Sequence, residues 1–413
     1  MKKILLGQII LGTFLYGSEV SLDELLKSVE KNSYENKLYN IKKEENKEQE
    51  KILKKGKYNG INIQGESEYK KNQEKYILKN KATFGDFYIE GEKEKQLNSK
   101  GSLGIEISLK DKIFSREDSQ LRNLTNKKYI DKIDYIENLK NEKIKLIELY
   151  KNYKDNEFEL KLKENALKTL EKEKSILEKS YSLGNISKID LNSLMVTYNN
   201  LQLEIKNIKS ILKQIKKIFF YEFQIEIGDQ KLKEIHSENN NLEKYIKNIG
   251  KNSIEKLELE KNISEENLKY IKYDNKVPEF YIGGERNLEN SDNRIFLRFS
   301  KDIFYEDTRY IEEKSSLEKI NINLEREKNK ILSDHYKIED SYFTLEKEFL
   351  ILKNRSTLEK DKYEIKKIEN KLGKISYTEV METFDNYLEL EVLKEKAKNS
   401  LNSYMYIIKI KGE

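Results

Sequence analysis

The chain has 413 residues, 79 of them Lys or Arg and 74 Asp or Glu, so that 37% of it is charged while the formal net charge is only +5. One proline, no tryptophan and a mean hydropathy of −0.84 suit long amphipathic helices better than the two or three compact domains usual at this length. The lack of cysteine excludes a disulfide scaffold, a Cys zinc site, an iron–sulfur cluster, a thiol nucleophile and lipid attachment through an N-terminal cysteine. Evenly mixed acids and bases leave no basic field of the size nucleic acid requires.

Met1-Lys2-Lys3 precedes an apolar stretch from Ile4 to Gly17, which predicts a cleaved secretory signal over residues 1–17. The stretch is shorter than the ~20 residues a helix needs to cross a bilayer. Ser21-Leu22-Asp23-Glu24 then starts a helix with a capping box. Strands are expected at about 58–110. Ile61 and Ile63 alternate with Asn62, Gln64 and Glu66, and Leu103, Ile105, Ile107 and Leu109 alternate with Ser102, Gly104, Glu106 and Ser108, the period of a sheet with one greasy face. A proline-free long helix is predicted over 115–181, with apolar residues three and four apart such as Ile133, Ile136 and Leu139. At ~1.5 Å per residue it is a rod of roughly 100 Å that needs partner helices along its length. A tip at 182–188 and a helix over 188–228 follow.

The order then repeats. Residues 241–253 resemble 21–33, with Lys-Asn-Ser at 251–253 and at 31–33; Ile303-Phe304 matches Ile113-Phe114; and Leu372–Val380 matches Leu183–Leu191 at an offset of 189. This predicts a first repeat over 18–235 and a second over 236–413, with a helix at 241–276, strands at about 278–303, a long helix over 305–371, a tip at 372–376 and a helix over 377–409. The first copy carries about 30 extra residues, Lys70 to Gly101, which read either as an extracellular hairpin or as two added transmembrane strands. The hairpin is the favoured expectation, because Lys79, Lys81, Asp86 and Glu90 interrupt a greasy face. Strands this few cannot close a membrane barrel within one chain, so a membrane role demands oligomerisation.

The sharpest local signal is Leu-Gly-x-Ile-Ser-x-x-acid, present at Leu183, Gly184, Ile186, Ser187 and Asp190, and again at Leu372, Gly373, Ile375, Ser376 and Glu379. Glycine ends one helix in the left-handed conformation, serine caps the next with the acid three residues on, and the isoleucine before the cap is placed as a hydrophobic staple. The acids read either as capping groups alone or, together with Glu382, as charged rings around a symmetry axis. His236 and His335 read as isolated surface histidines. No P-loop, GxGxxG, GxSxG or HExxH is present, so no catalytic residue, cofactor or metal is expected and the chain reads as a non-enzyme.

With its secretory signal, its duplicated order of elements and its two LGxIS tips, the chain resembles the TolC family of outer-membrane efflux proteins over about residues 19–410. The resemblance implies a mainly α fold with a small β part. Duplicated long helical hairpins would form a periplasmic α-barrel, and short antiparallel strands would contribute to a trimeric outer-membrane β-barrel, four from each of three chains making twelve. It implies a passive exit duct for small molecules or polypeptides, located in the outer membrane with a large periplasmic portion. The implied partners are two further copies of the chain, outer-membrane lipid, a periplasmic adaptor and, through that adaptor, an inner-membrane transporter. The adaptor-docking turns map to Leu183, Gly184, Ile186 and Ser187 and to Leu372, Gly373, Ile375 and Ser376; the pore-entrance carboxylates map to Glu379 and Glu382, with Asp190 as the first-copy counterpart of Glu379 and Ser193 at the place of Glu382. Two departures stand out: no proline occurs in Lys110–Phe114 or in Lys301–Phe304, and Ile375 occupies the place of a basic latch residue, leaving Lys374 beside it. The rival expectation is a secreted coiled-coil structural or interaction protein without channel activity.

Overall fold

The computed structural model describes residues 19–56, 61–70, 75–94, 100–184, 186–228, 231–236, 242–301 and 307–413. The signal segment, Asn185, Asn241 and the Asp302-Ile303-Phe304 stretch lie outside the described residues. The chain forms two compact units that cut across the two repeats, each drawing on both copies.

One unit comprises residues up to Lys37 together with Ile136–Gly250 and Lys330–Glu413. It holds helix α1 (Leu22–Asn32), the larger part of α4 (Arg116–Ser182), α5 (Lys188–Phe223), α6 (Leu242–Asn248), the C-terminal part of α8 (Thr308–Lys371) and α9 (Tyr377–Gly412). The capping box of α1 is present: the Ser21 hydroxyl accepts from the Glu24 N–H and Glu24 Oε2 accepts from the Ser21 N–H at 2.8 Å. Leu22, Leu25, Leu26 and Val29 of α1 pack on Leu146, Ile147 and Tyr150 of α4, on Phe219 and Phe223 of α5, and on Ile410 of α9. Tyr150, completely buried, donates its hydroxyl to the Lys233 carbonyl at 2.6 Å, which fixes the connector between the repeats against this core. A second core, Ala166, Leu170, Leu194, Leu201, Val380, Met381, Phe384 and Leu388, lies toward the hairpin tips. Between Asn248 and Lys251 the helix breaks, with Gly250 at φ +88° and the Ile331 side chain 2.5 Å from where a Cβ would sit.

On α8 the pattern is opposite. Ile351, Leu358, Ile365 and Leu372 follow one another every seven residues, as do Tyr336, Phe343 and Leu350, and all seven are exposed. The rows shift by one position between Leu350 and Ile351, which offsets the slow drift of a seven-residue spacing around the helix, so that together with Leu372, one residue past the end of α8, they make one apolar stripe, a seam on which another helix can pack. Among the described residues little covers this seam within one chain, and α8 buries Tyr342 and Ser356.

The other unit comprises Leu38–Tyr135 and Lys251–Asn329. Its helices are most of α2 (Tyr34–Lys55), α3 (Leu109–Ile113), the start of α4, α7 (Lys251–Lys276) and the start of α8. Six strands, β1 (Asn62–Lys70), β2 (Lys75–Phe84), β3 (Phe87–Glu94), β4 (Lys100–Ser108), β5 (Glu279–Asn287) and β6 (Asn293–Ser300), form one antiparallel meander in chain order. The hairpin β2–β3, which turns at Gly85 with φ +59°, is a continuous part of this sheet. The residues expected as a hairpin over the barrel thus pair as interior strands of the sheet. The reason is parity: Lys79, Lys81 and Glu90 all fall on one face, leaving Leu78, Ala82, Phe84, Phe87 and Ile89 on the other, where Asn80 and Lys93 at the end farther from the helices are the polar residues among them.

The same division runs through all six strands. One face carries Ile63, Leu78, Ile89, Leu103, Ile105, Ile282, Ile295 and Leu297, with the aromatic rings of Phe84, Phe87, Phe280 and Phe299 at the end nearer the helices. Most of these are exposed, Ile295 to 88%. The opposite face carries Glu66, Lys79, Lys81, Glu90, Glu92, Glu106, Glu285, Arg294 and Arg298, with ion pairs Arg294–Glu285 at 2.6 Å and Arg298–Glu106 at 3.1 Å. Where β4 meets the helices, the missing proline is replaced by another device. Phe114 adopts an extended conformation, φ −155°, after α3, and Ser115 caps α4 through the Asp118 N–H at 3.1 Å. Buried Lys110 anchors this junction to Asp274 at 2.7 Å and Glu279 at 2.9 Å.

Candidate functional site at the hairpin tips

Each tip follows from its local sequence. In the second copy α8 ends in a full Schellman closure: the Lys374 N–H reaches the Glu369 carbonyl at 3.0 Å and the Gly373 N–H reaches that of Asn370 at 2.9 Å, with Gly373 at φ +72°. The Asn370 side-chain amide donates to the Ile375 carbonyl at 3.0 Å and braces the loop. In the first copy the Gly184 N–H bonds the Tyr181 carbonyl at 2.9 Å with Gly184 at φ +74°. Ser187 and Ser376 then cap α5 and α9, accepting from the Asp190 N–H at 3.1 Å and the Glu379 N–H at 3.4 Å. The carboxylates fold back onto the cap hydroxyls, Asp190 accepting from Ser187 at 2.6 Å and Glu379 from Ser376 at 3.3 Å.

The residues at the tips divide by exposure. Leu183 and Leu372 stand 74% and 64% exposed, a matched pair of apolar side chains on the two turns. Ile375 turns inward and packs against the core that contains Val380, the position a hydrophobic staple requires. Ile186 is half-buried outside that core. The two tips also touch, since the Thr378 hydroxyl lies 3.4 Å from Asp190 Oδ1.

The acids are not equivalent. Glu379 is held by Lys366, whose Nζ lies 3.1 Å from its carboxylate, and this contact, with smaller contributions from Ser376, holds the carboxyl below the ordinary glutamate range. Glu382 is exposed and, among the described residues, makes no ion pair or side-chain hydrogen bond. The cation at this acid thus comes from Lys366 on α8, thirteen positions away in the chain, while Ile375 holds the staple position. Lys374 is exposed on the turn itself.

A second polar group that sequence reasoning missed lies between the hairpins. Glu173 of α4 accepts from the Tyr377 hydroxyl and from Lys367 Nζ at 2.9 Å. Burial first, then the Glu173 carboxylate, push the Tyr377 phenol pKa up, while for Lys367 burial opposes the charge and Glu173 outweighs it. Nothing local announces this cluster, because its members come from three helices. His335, read as an isolated surface residue, has its Nε2 3.0 Å from the Ile249 carbonyl beside the Gly250 break. No helix among the described residues is long and apolar enough to cross a membrane.

No family model and no curated protein sequence matches this chain. Solved structures do. The outer membrane protein VceC of Vibrio cholerae superposes with a TM-score of 0.70 at 10% identity, covering 95% of each chain. The Campylobacter jejuni CmeC outer membrane channel gives 0.69 at 14% identity over 95% of this chain and 85% of its own. CusC, described in terms of transmembrane channel formation, gives 0.70 at 12% identity over 94% and 91%. Paired long helical hairpins on a small antiparallel sheet, matched over nearly the whole length of these channels, give this chain the fold of the TolC-family outer-membrane proteins.

Proposed function

We propose that the chain is a passive outer-membrane exit duct that works as a homotrimer. The observation that carries this reading is the six-stranded sheet, which has one exposed apolar face, one charged face and an open edge at either end. Such a sheet is unstable in water and complete only as part of a closed barrel whose outer face meets lipid. The uncovered seam of α8 calls for helices from neighbouring copies in the same way. Since the chain has no nucleotide-binding or hydrolytic motif, energy for transport comes from an inner-membrane transporter reached through a periplasmic adaptor. The tips are the docking surface for that adaptor, with Leu183 and Leu372 as its apolar contacts, Gly184, Ser187, Gly373 and Ser376 setting the turn and Ile186 and Ile375 supporting it. Three copies of Glu382, with Asp190 and Glu379 behind them, ring the entrance and draw cations.

Two measurements test this. Membrane fractionation followed by unheated gel electrophoresis should place the protein in the outer membrane as a heat-sensitive trimer; a soluble extracellular dimer would refute the duct and favour a secreted coiled coil. In planar bilayers the trimer should conduct with cation preference. Glu382→Gln should weaken that preference more than Glu379→Gln, because Glu379 is already neutralised in part by Lys366. Unchanged selectivity in Glu382→Gln would remove the ring from the proposal.

A further inference from the structure

The register of the sheet carries more than its topology. Pairing followed across it from Asn62 runs through Thr83, Tyr88, Gly104 and Glu285 to Arg294, six residues short of the end of β6 at Ser300. Six residues at ~3.3 Å over five gaps of ~4.8 Å give a strand tilt of roughly 40°, inside the range that closed barrels require. The stagger includes β2 and β3, so the inserted hairpin has the geometry of barrel wall. Its face parity agrees, since Leu78, Phe84, Phe87 and Ile89 continue the apolar band and Lys79, Lys81, Glu90 and Glu92 continue the charged one.

The two free edges are complementary. With an even number of strands β1 and β6 run in opposite directions, so β6 of one copy meets β1 of the next in the antiparallel sense used throughout the sheet. On the charged face the outer strands differ in net sign: Glu66 and Glu68 on β1, with Lys70 at its far end, against Arg294 and Arg298 on β6. Inside the sheet acidic β1 already lies beside basic β2, and β2 beside acidic β3, so a basic β6 next to an acidic β1 extends the same alternation across the joint. Neither edge strand contains proline.

Building on the trimeric duct proposed above, we propose that the β2–β3 hairpin is part of the barrel wall, so that three copies close an eighteen-stranded barrel in which β6 of each copy pairs with β1 of the next. Twelve strands, the number expected before the insertion was placed, give a barrel roughly 24 Å across between backbone centres at this tilt; eighteen give roughly 36 Å, a size that leaves an open aqueous lumen.

Face parity limits the joint to registers in which odd-numbered residues of β6 meet odd-numbered residues of β1. The chain has no native cysteine, so disulfide trapping is free of background. Leu297→Cys combined with Gly65→Cys or with Ser67→Cys in the same chain covers the two registers nearest to level strand ends. One of these pairs should give a covalent trimer on a non-reducing denaturing gel, and Leu297→Cys with Glu66→Cys, on opposite faces, should not. Electron microscopy of the unsubstituted trimer should show a barrel about 36 Å across, which keeps the test valid if a cysteine variant fails to assemble. Outer-membrane trimers with a barrel near 24 Å, or that trap with neither pair, would overturn the eighteen-stranded wall and leave the duct standing. Absence from the outer membrane would overturn the duct itself.

Discussion

Gly184 and Gly373 offer a substitution whose cost comes from the backbone alone. At φ +74° and +72° both sit in the left-handed region, and a Cβ built on either would meet no atom within 4 Å. Alanine therefore introduces no clash, only the left-handed penalty of about 1–2 kcal/mol at each site. That is a factor of roughly 5–30 in the population of the opened turn. The Lys374 and Gly373 amides report on it directly, because their protection comes from the Glu369 and Asn370 carbonyls that close the turn. Hydrogen exchange of Gly373→Ala should speed at the amide of Lys374 by that factor, while amides around Tyr150, in the other core of the same unit, keep wild-type rates. Gly373→Asn, whose side chain tolerates the left-handed region, should lie between wild type and alanine. If alanine and asparagine both exchange like wild type, left-handed geometry does not hold the turn and the argument fails. If asparagine loses as much as alanine, an unrecognised side-chain clash is responsible instead.

Tyr377→Phe should cost about 1.5–3 kcal/mol, the range for a hydrogen bond to a charged group, read as a lowered unfolding midpoint that Lys367→Met in the same chain does not fully add to, since both act through Glu173. Glu159 gives a pH signature. Burial raises its pKa but the ion pairs with Lys163 at 2.8 Å and Lys396 at 2.7 Å prevail, so the folded value lies below the ordinary 4.5. A depressed carboxyl stabilises the fold above the unfolded value and that stability is lost as pH falls through the folded one, so melting temperature should drop on going below pH about 4.5, and less steeply in Glu159→Gln.

How much of this was legible in the sequence depended on the range of the interaction. The tips were readable because glycine, serine and the acid act within eight residues of each other, and the caps form as their spacing requires. Lys366 was not, since it reaches Glu379 only because the hairpin folds α8 back beside α9, and the phase of two helices across a turn is not written in either. The inserted strands were weighed by counting charges along the chain; counted by parity, Lys79, Lys81 and Glu90 fall on one face. The helix break at Gly250 had a local signal, a glycine that takes φ +88°, which the continuous helix expected over 241–276 passed over; the close approach of Ile331, 81 positions away, had none.

The uneven treatment of the two long hairpins also has a physical reading. α5 and α9 bury apolar residues along much of their length, Leu194 to Phe223 and Val380 to Ile410, although α5 also leaves Val196, Leu203 and Tyr221 exposed. α8 carries apolar residues at seven-residue spacing and leaves them exposed to 45–73% at Tyr336, Phe343, Leu350, Ile351, Leu358 and Ile365. Each of these side chains leaves about half or more of its surface open within the chain, so making it polar would cost the lone chain little. Their placement along one stripe of the helix is what packing against a neighbouring helix would use, in line with the assembly proposed above. The sheet makes the same demand by a different force, because its edges need hydrogen-bond partners where the seam needs apolar cover. On the trimeric reading proposed above, neighbouring copies would meet both demands, so a variant that blocks the seam, such as Leu358→Lys, should weaken assembly without altering the fold of either core.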